Sequence, residues 1–72
     1  MTERVTKTAV RQAMARLEQK SNLDTLKTGA NLLGYGAEQA GTAWHYRGGV
    51  YSDQNALTDE LLFDLGSRLR SL

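Results

Sequence analysis

The fold of this chain is decided by how residues 23–51, LDTLKTGANLLGYGAEQAGTAWHYRGGVY, are read. Within this stretch Leu23, Leu26, Ala30, Leu33, Ala37, Ala40 and Trp44 recur at alternating spacings of three and four, the period of an apolar seam on a long helix. With Leu23 at heptad position a, Gly29 and Gly36 fall at g, and Gly34 and Gly41 fall at e. Four glycines would then flank the seam and admit a neighbouring backbone. On this reading one helix runs from Leu23 to about Arg47 and stops at Gly48-Gly49, where a left-handed C-terminal cap uses glycine. The expected fold is all-α, three helices with a long Gly/Ala-lined central one.

The same stretch supports a second reading. Each interior glycine costs a helix about 0.8–1.0 kcal/mol relative to alanine, a loss that close packing would have to offset. Thr42-Ala43-Trp44-His45-Tyr46 is rich in strand formers, and Arg47-Gly48-Gly49 before Val50-Tyr51 has the composition of a hairpin turn. A helix ending at Gly34, followed by a short β-hairpin at about 42–52 with helices packed on it, gives the alternative, an α+β domain.

Outward from this segment the chain reads more simply. Residues 3–19 predict a helix with Thr6, Val10, Ala13, Met14 and Leu17 on one face and Arg4, Lys7, Arg11 and Glu18 on another. Ser21 and Asn22 supply a break and an N-cap, with Asp24 suited to the first turn that follows. After a polar connector at 52–56, Leu57, Leu61, Leu62, Leu65, Leu69 and Leu72 mark a last helix. Asn55 or Thr58 is its expected cap, with Asp59 and Glu60 in its first turn and Arg68 and Arg70 in its last. No repeat, low-complexity tract or proline interrupts the 72 residues, so the expectation is a single small domain, 1–72.

A core of this size supplies about 3–5 kcal/mol of net stability without further support. There is no cysteine and only one histidine, His45, which removes disulfides and leaves no basis for a zinc site. No cofactor is expected. Burial against a protein, by self-association or in a larger assembly, becomes the expected source of extra stability. Net charge is +1, far from the basic balance of a phosphate-binding protein. The charge is uneven, however. Arg4, Lys7, Arg11, Arg16, Lys20 and Lys27 face three acids in residues 1–27, whereas the last 22 residues are net acidic. No apolar run approaches the length of a membrane span and no secretory signal pattern is present, so the expected location is cytoplasmic, or within a virion or other assembly.

Trp44, His45, Tyr46, Arg47 and Tyr51 concentrate the residue types enriched at interface hot spots. The candidate protein interface therefore comprises Gly29, Gly34, Gly36 and Gly41 to admit a helix, Leu33 and Trp44 to anchor the seam, and Tyr46, Arg47 and Phe63 to face a partner. Phe63 earns its place from the polar side of the last helix, beside Gly66.

Arg4, Lys7 and Arg11 share a face of the first helix that a phosphate backbone could use. The stretch Val5-Thr6-Lys7-Thr8-Ala9-Val10-Arg11-Gln12-Ala13-Met14-Ala15-Arg16-Leu17-Glu18 resembles the recognition helix of GntR-type winged-helix regulators. The resemblance implies DNA-facing roles for Thr8 and Arg11. It covers only this stretch, and Gln19-Lys20-Ser21-Asn22 stands where a glycine and a β-wing would follow, so no family assignment is made.

Catalytic patterns are weak. His45, Ser52 and Asp53 supply triad residue types without a glycine-flanked nucleophile. Gly29 to Gly36 lacks the Lys-Ser/Thr of a phosphate loop. Asp59 and Glu60 are adjacent on a helix and diverge by about 100°. The expectation is a non-enzymatic protein-protein interaction or structural assembly subunit, working by helix packing and binding no small-molecule substrate. By analogy it is of the compact phage or mobile-element type. Alternatives are a small DNA-binding regulator using the basic first helix, and an inhibitor of a host protein.

Overall fold

In the computed structural model, which describes residues 6–72, the chain forms α1 (Lys7–Gln19), α2 (Leu23–Leu32), β1 (Ala37–Ala40), β2 (Ala43–Tyr46), β3 (Gly49–Tyr51) and α3 (Gln54–Ser71). The fold is α+β, which overturns the all-α expectation. The alternative reading has the right class but too few strands. Its hairpin is the β2–β3 pair, and a third strand, β1, extends it into an antiparallel sheet of order β1-β2-β3.

The long central helix fails at Gly34. Leu33 caps α2, Gly34 takes φ 88°, the Gly34 N–H donates to the Asn31 carbonyl at 2.9 Å, and the Tyr35 N–H donates to the Ala30 carbonyl at 2.9 Å. This pair of bonds is a Schellman motif, which closes off the last carbonyls and requires a left-handed residue after the cap. Gly34 therefore ends the helix rather than lining it. The heptad spacing survives because burial continues by a different geometry. Ala37 and Trp44 are seven apart, yet they lie on neighbouring antiparallel strands and face the same side of the sheet. The four-glycine seam is corrected accordingly: Gly29 lies in α2, Gly34 ends it, Gly36 precedes β1 and Gly41 turns between β1 and β2.

Both hairpins have two-residue loops. Ala40 pairs with Ala43 around Gly41-Thr42, with φ 65° at Gly41, the type II′ pattern. Tyr46 pairs with Gly49 around Arg47-Gly48, with φ 53° and 79°, the type I′ pattern. In the inward face of the sheet Ala37 pairs with Tyr46 and Trp44 with Tyr51; Glu38, His45 and Val50 form an outward row.

The helix ends are fixed by their own side chains. Thr6 accepts from the Ala9 N–H at 3.1 Å to cap α1. Asn22 and Thr25 form a reciprocal capping box at the start of α2, each bond 2.9 Å. Asp53, not Asn55 or Thr58, caps α3, accepting from the Ala56 N–H at 2.9 Å, so the last helix begins three residues before the leucine stripe. Ser21 and Thr58 join hydroxyl to hydroxyl and tie the α1–α2 connection to α3.

Val10, Ala13 and Leu17 of α1, Leu26 and Ala30 of α2, and Leu57, Leu61 and Leu65 of α3 meet in the core beneath Trp44 and Tyr46. Gly29 sits where the three helices converge, and a Cβ there would lie 3.5 Å from Leu17 Cδ1 and 3.6 Å from Leu65 Cδ1. Its closeness serves contact within the chain. Among the described residues no helix is long and apolar enough to cross a membrane.

Candidate functional site

The type I′ turn between β2 and β3 carries the most informative local conflict. Such turns need positive φ at both central positions, which Asn-Gly meets at least cost. This chain has Arg47-Gly48, and Arg47 is the one non-glycine residue with positive φ among the described residues. Its side chain is nonetheless held firmly. Nη1 donates to Asp64 Oδ2 at 3.1 Å, and Cζ lies 4.7 Å from the centroid of the Tyr35 ring, within cation–π range.

Each support comes from a different element. Tyr35 follows the glycine that ends α2, and its ring meets Tyr46 edge-on, with centroids 5.8 Å apart and planes at 84°. Tyr46 points inward from β2, and its hydroxyl donates to Asp64 Oδ2 at 2.8 Å. Asp64 projects from α3 and accepts from both Tyr46 and Arg47 through that oxygen. Tyr51 extends the aromatic row, 6.2 Å from Tyr46, and donates to Glu60 Oε2 at 3.3 Å.

The electrostatics follow from these contacts. Burial, then the hydrogen bond to Asp64 and its charge, push the Tyr46 hydroxyl well above the ordinary tyrosine range, so it stays a neutral donor at physiological pH. Burial and Glu60 raise Tyr51 in the same direction. The hydrogen bond to Asp64, followed by Tyr35, raises Arg47 above its already high value and keeps it cationic. Asp64 is only 11% exposed, whereas the Arg47 side chain remains 46% exposed. The result is a charged guanidinium oriented by a carboxylate and a ring, still open to an incoming group.

Beside it opens a depression of about 200 Å³ lined by Leu33, Tyr35, Arg47, Asp64, Ser67, Arg68 and Ser71. Phe63 is 66% exposed, one turn before Ser67 on α3, and does not line the depression.

The candidate residues read from the sequence are dispersed by the fold. Leu33, Trp44 and Tyr46 are buried in the chain's own core, as is Gly29; Gly34, Gly36 and Gly41 are exposed in or beside turns. Arg47 is exposed in the lining of the depression, and Phe63 is exposed elsewhere on α3. Gly66 is not a socket for Phe63, since it faces α1 with Met14 Cε 3.9 Å from where its Cβ would be. Lys7, Thr8 and Arg11 are exposed on α1, remote in sequence from this cluster, and Arg4 lies outside the described residues. Sequence reasoning missed Tyr35, Asp64, Ser67, Arg68 and Ser71. The one signal that could have led to Tyr35 and Asp64 is arginine in place of asparagine before Gly48, since a strained arginine needs an acceptor and a surface to lie on.

The arrangement holds hydrogen-bond donors and a fixed charge on an open surface, which suits recognition of a complementary group. Comparison of the chain with family models, with curated proteins and with solved structures returns no match.

Proposed function

We propose that this chain is a small non-enzymatic protein-binding module whose contact surface is centred on Arg47. The observation that carries the reading is an arginine kept at a left-handed turn position. Folding alone favours asparagine or glycine there, and an ion pair this exposed offsets little of the backbone strain. Strain of this kind persists where a side chain is needed for another purpose. A guanidinium held by Asp64 and Tyr35 loses little freedom on binding, and Arg and Tyr are the residue types that dominate interface energetics. Binding through a glycine-lined helix is not part of this reading, because that helix does not exist.

The test is a single substitution. Arg47→Asn supplies the residue the turn prefers and removes the guanidinium with its stem, including its contacts to Asp64 and Tyr35. Tagged wild-type and variant proteins are used to capture partners from lysate of the source cells, with Arg11→Ala as a surface control. The expected result is a protein retained by wild type and by Arg11→Ala and lost by Arg47→Asn, while circular dichroism shows the variant fully folded. The same captured set for all three proteins would overturn the reading, as would unfolding of Arg47→Asn, which would give the arginine a role in folding.

A further inference from the structure

We infer that the group this surface takes from its partner is a carboxylate, on an acidic peptide segment that carries an apolar residue beside it. The inference rests on the binding-module reading and names the partner's chemistry. Two arginines, Arg47 and Arg68, line one concavity together with Tyr35 and Ser67. Its one acid, Asp64, directs Oδ2 to both Tyr46 and Arg47. Arg47 has five N–H donors and commits one of them to Asp64. Arg68 forms no ion pair among the described residues. Ser71 donates to the Ser67 carbonyl and Ser67 Oγ accepts from Arg70, which leaves the Ser67 O–H as a free donor. Cationic side chains lining the depression thus outnumber acidic ones two to one, and a carboxylate accepts from a guanidinium in the strongest geometry open to it.

Two further observations favour a peptide carboxylate over a phosphate chain. The positive charge is local: Asp59 lies one turn beyond Phe63 on α3 and the whole chain is only +1, so a phosphate backbone would meet few further cations. Apolar surface is also exposed, with Tyr35, 39% exposed, lining the depression and Phe63 one turn before Ser67 on α3. A segment with an Asp or Glu next to a Leu or similar residue satisfies both features.

The test uses the full chain labelled with nitrogen-15 and three probes: an acetylated, amidated hexapeptide alternating leucine and aspartate, its leucine-asparagine counterpart, and a twelve-residue oligothymidylate. The aspartate peptide is expected to shift the amides of Tyr35, Arg47, Gly48, Ser67, Arg68 and Ser71. It should bind about tenfold more tightly than the asparagine peptide, the size of a lost charge-assisted hydrogen bond. Arg68→Ala should weaken it about fivefold or more, and Arg11→Ala should leave it unchanged. Equal binding of the asparagine peptide at these amides overturns the carboxylate inference and leaves the binding module standing. Insensitivity to Arg68→Ala, tighter binding of the oligothymidylate at the same amides, or no peptide binding at all overturns the inference too, and the capture experiment then judges the module separately.

Discussion

Exchanging two glycines of the segment 23–51 for alanine separates the α+β fold from a continuous helix, because the two sites respond with opposite sign. At Gly29, inside α2, a Cβ would meet Leu17 Cδ1 at 3.5 Å, Leu65 Cδ1 at 3.6 Å and Leu61 Cδ1 at 3.9 Å, all ordinary van der Waals contacts. Alanine then recovers about 0.8–1.0 kcal/mol of helix propensity and up to about 0.8 kcal/mol from burying one methyl. Gly29→Ala should stabilise by about 1–1.5 kcal/mol. At Gly34 there is open space but φ is 88°, which costs an L-residue about 1–2 kcal/mol. Gly34→Ala should destabilise by that amount, although a helix interior would have rewarded the same change. Urea unfolding followed at 222 nm reads the difference. With a slope of about 1 kcal/mol per molar for a chain this short, the two midpoints should part by about 2–3 M. A Gly34→Ala protein as stable as Gly29→Ala would refute the helix stop. Loss of stability or of an oligomer in Gly29→Ala would refute the packing of the three helices around Gly29.

Three other outcomes follow from the same geometry. Tyr46 holds its proton more tightly folded than unfolded, where its ordinary value is 10.0, so stability is full below about pH 10 and falls as pH rises above it; the fall should be at most about 1.4 kcal/mol per pH unit for this group and should flatten in Tyr46→Phe, as measured by urea unfolding at pH 8–11.5. Trp44→Ala removes the largest buried side chain and should cost about 3–5 kcal/mol, enough to unfold the protein, visible as loss of the cooperative thermal transition. Phe63→Ser should change stability by less than about 0.5 kcal/mol because the ring is solvent-facing, yet reduce capture of the Arg47-dependent partner.

The helical parts of this chain were legible because one apolar stripe sets each face, whereas two of the starts were misplaced: Thr6 caps α1 and Asp53 caps α3. Val10, Ala13 and Leu17 mark the buried side of α1, Asn22 opens α2, and Leu57, Leu61 and Leu65 follow the helical period of α3. The middle was harder, since Ala37 and Trp44 continue a heptad register from neighbouring strands that face the same side of the sheet, a relation that sequence spacing does not distinguish from two turns of helix. Gly34 held the information that resolves it, as a cap rather than a packing residue. The first strand escaped notice because Ala37-Glu38-Gln39-Ala40 contains no strand former, and its place in the sheet comes from pairing with Trp44 and Tyr46. The candidate surface was half visible. Arg47 and Phe63 stand out by residue type and position, whereas Asp64 reads as a solvated charge until the fold brings it across 17 residues to Arg47.

On the proposed reading Arg47 occupies its turn for recognition and at no benefit to folding. Thermal unfolding of Arg47→Asn beside the wild type tests it most directly. The expected midpoint equals that of the wild type or is higher, since Asn-Gly is the residue pair a type I′ turn prefers. A midpoint lower by about 4 °C or more would mean that the arginine supports the fold through Asp64 and Tyr35, and would contradict it.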